Sequence, residues 1–187
     1  MKPKETEKSP AGVTPTVSRE ALGDRMAGHV KGLRRYAIAL TGDPADADDL
    51  VQESLTRVLA KIEEGAEVRN LRTYLFSTLH NLRMDQLSRK RITGIQVPLE
   101  DVAAKLSTPA NQQARLMGQD MAIALTKLPE QQREVLLLIG LEGAGYQQAA
   151  DILDIPLGTV MSRLSRARGS LRRLMAGGSV AGLHSVK

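Results

Sequence analysis

Between Arg19 and Leu40 the apolar residues Leu22, Met26, Val30, Leu33, Ala37 and Leu40 return at steps of four and three, which puts them on one stripe of an α-helix. Thr41-Gly-Asp-Pro44 stops that helix and starts a second, from about Ala45 to Glu63, because Gly ends helices and Pro is tolerated in a first turn. The second helix carries the stripe Ala47, Val51, Leu55, Val58 and Ile62, with Asp46, Asp49, Gln52, Glu53 and Arg57 on its other faces. After a short loop, 64–70, a third helix from about Leu71 to Arg91 buries Leu75, Leu79 and Leu82 and ends in Arg89-Lys-Arg91, cations that suit the negative end of a helix dipole. Three amphipathic helices with short connections predict one bundle.

Residues 92–111 lose the period and contain Gly94, Pro98, Ser107, Thr108 and Pro109, so an interdomain linker is expected there, with a fragment of helix around Leu99 to Leu106. A second domain, 112–176, begins with a helix through Leu125 and one over Glu130 to Leu141 opened by Pro129. A Gly143-Ala-Gly145 break then precedes two further helices in helix-turn-helix order. No strand pattern and no internal repeat compete with this, so the expected fold class is all-α, two small helical domains (18–91 and 112–176) on a flexible linker. The ends, 1–17 and 177–187, are expected to be flexible tails; Pro3, Pro10 and Pro15 stand among charged and small residues that bury too little surface to offset ordering.

In the last helix Val160, Leu164, Ala167, Leu171 and Leu174 form a buried stripe and leave Thr159, Met161, Ser162, Arg163, Ser165, Arg166 and Arg168 facing outward. Small polar residues and arginines at a helix start suit the major groove, where Arg pairs with guanine in two hydrogen bonds and the helix N-terminus attracts phosphate. Arg172 and Arg173, a turn later, would add salt-sensitive backbone contacts. A basic face alone is usually only a solvated surface. The preceding segment decides for DNA: Ala149, Ala150 and Leu153 make a small, closely packed scaffold helix, and Asp154-Ile-Pro156 makes the tight turn.

Charge distribution sharpens the picture. The 187-residue chain has net charge +5, yet from Ile155 onward there are six Lys/Arg and no acid, whereas residues 43–53 hold Asp43, Asp46, Asp48, Asp49 and Glu53 and no base. An apolar content of 42% suffices for packed cores. The absence of cysteine rules out disulfides, zinc fingers and thiol catalysis, and suits a cytoplasmic protein. No apolar stretch reaches the roughly 18 residues that span a bilayer, and the N-terminus does not resemble a signal peptide, so no membrane insertion is expected. His29, His80 and His184 are scattered, with no nucleophile motif or phosphate-cradling loop nearby; no catalytic residue, enzyme activity or cofactor is expected.

The acidic cluster fails the calcium-loop pattern, because the required oxygen ligands and central Gly fall on Ala45 or Leu50; no metal site is expected. The helix dipole favours Asp46, Asp48 and Asp49 in any case. It does not account for Gln52 and Glu53, and a face of Asp49, Gln52 and Glu53 would dock a basic helix of another protein. Composition leaves both open. In the third helix Asn81 and Asp85 lie one turn apart beside Arg83, ahead of Arg89. Asn reads base edges, above all on a base taken out of the stack, and arginines hold phosphates; an ordinary exposed polar face stands against this.

Two motifs resemble those of bacterial RNA polymerase sigma factors of the extracytoplasmic-function (ECF) group. Asp46-Ala-Asp-Asp-Leu-Val-Gln-Glu-Ser-Leu (46–55) is similar to the family's region 2.2; Leu128-Pro-Glu-Gln-Gln-Arg-Glu-Val-Leu-Leu-Leu, followed by Ile155-Pro-Leu-Gly-Thr-Val-Met-Ser-Arg-Leu-Ser-Arg-Ala-Arg, is similar to region 4. The likeness covers about residues 19–175. It implies that Asp49, Gln52 and Glu53 grip the clamp helices of core RNA polymerase. It further implies that Asn81, Arg83 and Asp85, with Arg89, face the −10 promoter element and that the loop from Gly65 to Asn70 accepts a flipped base. Thr159, Met161, Ser162, Arg163, Arg166 and Arg168 would face the −35 element. Such factors direct promoter-specific initiation and are usually held by an anti-sigma factor in a stress or environmental response, so core RNA polymerase, promoter DNA and an anti-sigma factor are the expected partners. The chain departs from the family at Tyr74, where many members carry Trp, and at Met161, where Lys or Arg is common. Asp154 replaces a common Gly, and Gly145 a common Ser or Thr that would cap the scaffold helix. Only four aromatic residues are available for stacking on an opened strand.

Overall fold

The computed structural model describes residues 19–93 and 112–181, all of them in helices or the turns between them. The first two residues of the expected linker, 92 and 93, continue α3, and the rest of it, 94–111, with its expected fragment of helix at Leu99 to Leu106, lies outside the described residues, as do 1–18 and 182–187. Three helices, α1 (Arg19–Thr41), α2 (Pro44–Glu63) and α3 (Leu71–Thr93), form the first bundle. Four more, α4 (Gln112–Thr126), α5 (Glu130–Gly140), α6 (Tyr146–Leu153) and α7 (Leu157–Ala181), form the second. Helix α7 thus continues past 176 through Gly177 and Gly178, since each further residue adds a backbone hydrogen bond to a helix already nucleated.

The local chemistry explains the breaks. Gly42 takes a positive φ of 76° after α1, and Asp43 caps α2, its carboxylate accepting from Ala45 N at 2.8 Å and Asp46 N at 3.2 Å, a contact worth about 1 kcal/mol. Pro44 follows at the start of the helix, where its missing N–H costs nothing. Asp154 adopts φ 50°, ψ 50° at the end of α6; Asp tolerates this left-handed conformation better than most residues other than glycine and asparagine. Gly145 leaves the start of α6 without a side-chain cap.

Most of the stripe residues read from the sequence are buried: Leu22, Met26, Leu33, Ala37 and Leu40 on α1; Ala47, Val51 and Val58 on α2; Leu75, Leu79 and Leu82 on α3; Val160, Leu164 and Ala167 on α7, whereas Val30, Leu55, Ile62, Leu171 and Leu174, nearer the edges of the contacts, are half-buried. Each large aliphatic side chain removed from water contributes about 1.5–3 kcal/mol. Tyr36 on α1, Leu50 and Ser54 on α2 are buried too, and the stripe pattern did not predict them.

The bundles do not stand apart. Helix α3 packs on α6 and α1 on α5, so the buried apolar residues of both bundles form one continuous cluster. The interface also holds charge. His80 Nδ1 lies 3.2 Å from Glu134 Oε1, and Arg83 Nε 3.7 Å from Glu130 Oε1, while the other carboxylate oxygen of Glu130, Oε2, accepts from Arg133. Neither contact has hydrogen-bond geometry at those atoms, and the buried Tyr36 hydroxyl has no protein partner. Burial first, then the Glu134 and Glu130 carboxylates, hold the Tyr36 hydroxyl well above its ordinary pKa. A buried, unpaired polar group costs about 1–3 kcal/mol. Tyr36→Phe is therefore expected to leave stability unchanged or raise it by about 1 kcal/mol in a urea melt; a clear loss would mean that the hydroxyl is satisfied in solution.

Candidate functional site

Three surfaces emerge. On α2, one side of the helix buries Ala47, Leu50, Val51, Ser54 and Val58 and thereby turns Asp49, Gln52 and Glu53 to solvent. The carboxylates around them are partly committed. Asp48 accepts two hydrogen bonds from Arg34, at 2.6 and 3.1 Å, and that guanidinium holds its carboxyl below the ordinary range. Glu53 pairs with Arg57 one turn on at 2.5 Å. Both pairs are exposed and contribute little to stability; they order the side chains of an acidic face. Among the described residues no group of three His, Cys, Asp or Glu is placed to hold a metal ion.

The second surface is formed by α3 and the turn before it. Asn70 Oδ1 accepts from Thr73 N at 3.0 Å and so caps α3. Residues 66–70 with Thr73, Tyr74 and Ser77 line an open cleft of about 400 Å³, and Asp151 of α6 completes its wall. Asn81 and Asp85 are exposed on α3, in keeping with a readable polar face. Arg83 differs from the expectation: only 7% exposed, it faces Glu130 of the second bundle. Arg83 lies two positions from both Asn81 and Asp85, a spacing that turns it away from their face of the helix, and it packs toward the Glu130 carboxylate of α5. Arg89 lines a cleft between α2 and α3 with Asp46, Asp49 and Gln86, so the two expected sites, forty residues apart in sequence, adjoin in space.

The third surface is the helix-turn-helix. Scaffold helix α6 buries Ala149, Ala150, Ile152 and Leu153. Helix α7 exposes Met161, Ser165, Arg166 and Arg168, while Thr159, Ser162 and Arg163 are half-buried along its first turns. Ser162 Oγ donates to Thr159 O at 3.1 Å. Tyr146, Met161, Ser165, Arg168 and Arg172 line one open groove, a mixed apolar and cationic strip suited to thymine methyls and phosphates. Tyr146 was not expected there; it stands at the start of α6, which packs on α7.

Sequence reasoning also missed the contacts between the bundles. Glu142, its side chain 4% exposed, accepts from Arg35 Nε at 2.8 Å and lies 4.0 Å from Arg72 Nη2. Arg72 donates to the Glu142 carbonyl, and Arg35 to the Leu141 carbonyl at 3.3 Å. His29, near Arg72 and Arg25, is half-buried, and burial first, then those cations, lower its pKa. The local sign of this joint was Gly32, a glycine inside a helix. Gly23 and Gly28 on the same helix have open space beside them, however, so the sign did not single out one position.

A scaffold helix, a left-handed turn and an arginine-bearing helix define a DNA-binding protein, joined here to a second helical bundle with an acidic face. Comparison with known proteins narrows this. Residues 121–171 match the model described as "Sigma-70, region 4", and residues 26–80 match "Sigma2 domain of PhyR". The ECF RNA polymerase sigma factor EcfG of Rhodopseudomonas palustris is 40% identical over 157 residues, 83% of this chain and 86% of that protein. The sigma factor RpoE in its complex with the anti-sigma factor NepR from Bartonella quintana superposes with TM-score 0.70 at 31% identity, over 84% of this chain and 98% of that one. CnrH, in complex with the cytosolic domain of CnrY, gives TM-score 0.64 at 26% identity, over 86% and 90% of the two chains. The chain belongs to the ECF RNA polymerase sigma factors and directs transcription initiation. No helix among the described residues is long and apolar enough to cross a membrane.

Proposed function

We propose that this chain binds core RNA polymerase through Asp49, Gln52 and Glu53, reads a −10 element with Asn70, Asn81, Asp85 and Arg89 and a −35 element with Thr159, Met161, Ser162, Arg163, Arg166 and Arg168, and makes or breaks no covalent bond itself. Arg83 joins the −10 set when the two bundles separate. The observation that carries the reading is the division of charge between two exposed helix faces, carboxylates on α2 and arginines on α7. A carboxylate face repels DNA and suits a basic protein helix; an arginine face does the reverse. Two modest DNA sites in one molecule gain effective concentration when promoter spacing lets both engage.

The related sigma factors solved with NepR and with CnrY support a cytoplasmic anti-sigma partner for this chain as well, acting in a stress or environmental response. The test is transcription in vitro: the purified chain is added to sigma-free core polymerase on sheared genomic DNA and transcript 5′ ends are sequenced. Discrete starts sharing a two-part upstream motif are expected. Absence of both core binding and transcripts would sink the proposal and favour a helix-turn-helix repressor.

A further inference from the structure

We infer that Glu142 is an intramolecular latch which holds the free protein in a closed, promoter-incompetent arrangement. The inference rests on the sigma-factor reading of α3 and the loop before it. Glu142 belongs to the turn between α5 and α6, yet its carboxylate is buried against the first bundle, between Arg35 of α1 and Arg72 of α3. Arg35 and Arg72 also donate to the carbonyls of Leu141 and Glu142, so side chain and backbone of one turn are held together. Helix α1 makes room for the carboxylate with Gly32: a Cβ there would stand 2.9 Å from Glu142 Oε2. Glycine weakens a helix interior, and here the close approach gives it a purpose.

Closure withholds what a promoter strand needs. Arg83 is buried against Glu130. Gln148 of α6 donates to Thr73 Oγ1 at 3.2 Å, and the Asp151 carboxylate walls the cleft beside Asn70 and Tyr74, where it opposes an approaching phosphate. The closed state is also built to be reversible. Its interface buries His80, Glu134, Glu130, Arg133 and the Tyr36 hydroxyl with several polar atoms unpaired, and charged groups that regain water on separation lower the cost of opening. Arg35 and Arg72 keep partial access to solvent. Core polymerase, by binding only the separated arrangement, draws the equilibrium open.

The chain has no cysteine, so Gly32→Cys with Glu142→Cys introduces one removable lock where the end of the Glu142 side chain approaches the backbone of Gly32. The reduced double variant lacks the carboxylate; the oxidised one is closed covalently. The oxidised, disulfide-closed monomer is expected to yield at least tenfold fewer transcripts with core polymerase than the same protein after reduction. Equal transcription by both forms would overturn the latch. An independent measurement is small-angle scattering of Glu142→Lys, which sets a cation against Arg35 and Arg72. Its radius of gyration should exceed that of the unmodified chain, and an unchanged profile would also overturn the inference. If the unmodified chain fails to initiate with core polymerase, the sigma-factor reading of the sites falls, while scattering still reports on closure.

Discussion

Replacing Asp49 and Glu53 together by arginine is expected to reduce core-dependent transcription at least a hundredfold while leaving helicity and binding to −35 duplex DNA intact. Both side chains are exposed on a helix whose opposite side is the core of the first bundle, so neither substitution opens a cavity or strands a buried charge. Glu53 gives up only an exposed pair with Arg57, worth about 0–1 kcal/mol. The effect therefore falls on the partner: each reversal replaces an attraction for a basic helix with a repulsion, and like charges across an interface cost several kcal/mol. The measurement is a competition for core polymerase against an unmodified sigma factor, with residual transcription as the second readout. Normal competition by the double variant would move the core-binding surface elsewhere.

The other large effect is expected on α7. Arg166→Ala removes an exposed guanidinium and Arg163→Ala a half-buried one. If both read bases, each contributes about 1–3 kcal/mol of discrimination, so the double variant should lose at least roughly thirtyfold in −35 affinity at about 1.4 kcal/mol per tenfold. Arg172→Ala, further along the helix and exposed, should instead weaken all sequences alike and lower the slope of log K against log salt by about one. Gel-shift titrations over a salt series, on the −35 sequence and on single-base variants, separate the two behaviours. Uniform weakening by Arg163→Ala and Arg166→Ala would assign them to phosphates and leave specificity to Met161, Ser162 and Thr159.

The sequence was most legible where the physical signal is local. Periodicity of apolar residues depends only on 3.6 residues per turn, and it located the helices of both bundles. Capping chemistry at Asp43 and the left-handed residue at Asp154 are equally local, and so is the concentration of arginines on α7. The acidic face of α2 was legible for the same reason: burying Ala47, Val51 and Val58 leaves Asp49, Gln52 and Glu53 only one way to face.

Tertiary structure alone decided which of the polar residues meet. Glu142 pairs with Arg35 across 107 positions, and Arg72 reaches the Glu142 carbonyl across 70. Arg83, one of several arginines near the end of α3, is turned inward by Glu130, while Arg89 adjoins Asp46 and Asp49. No period or spacing encodes such pairings, because they depend on how two complete bundles pack. The chain by itself thus determined the helices, the helix-turn-helix and the division of charge, whereas the packing of α1 on α5 and of α3 on α6 decided which charges face solvent and which hold the molecule closed.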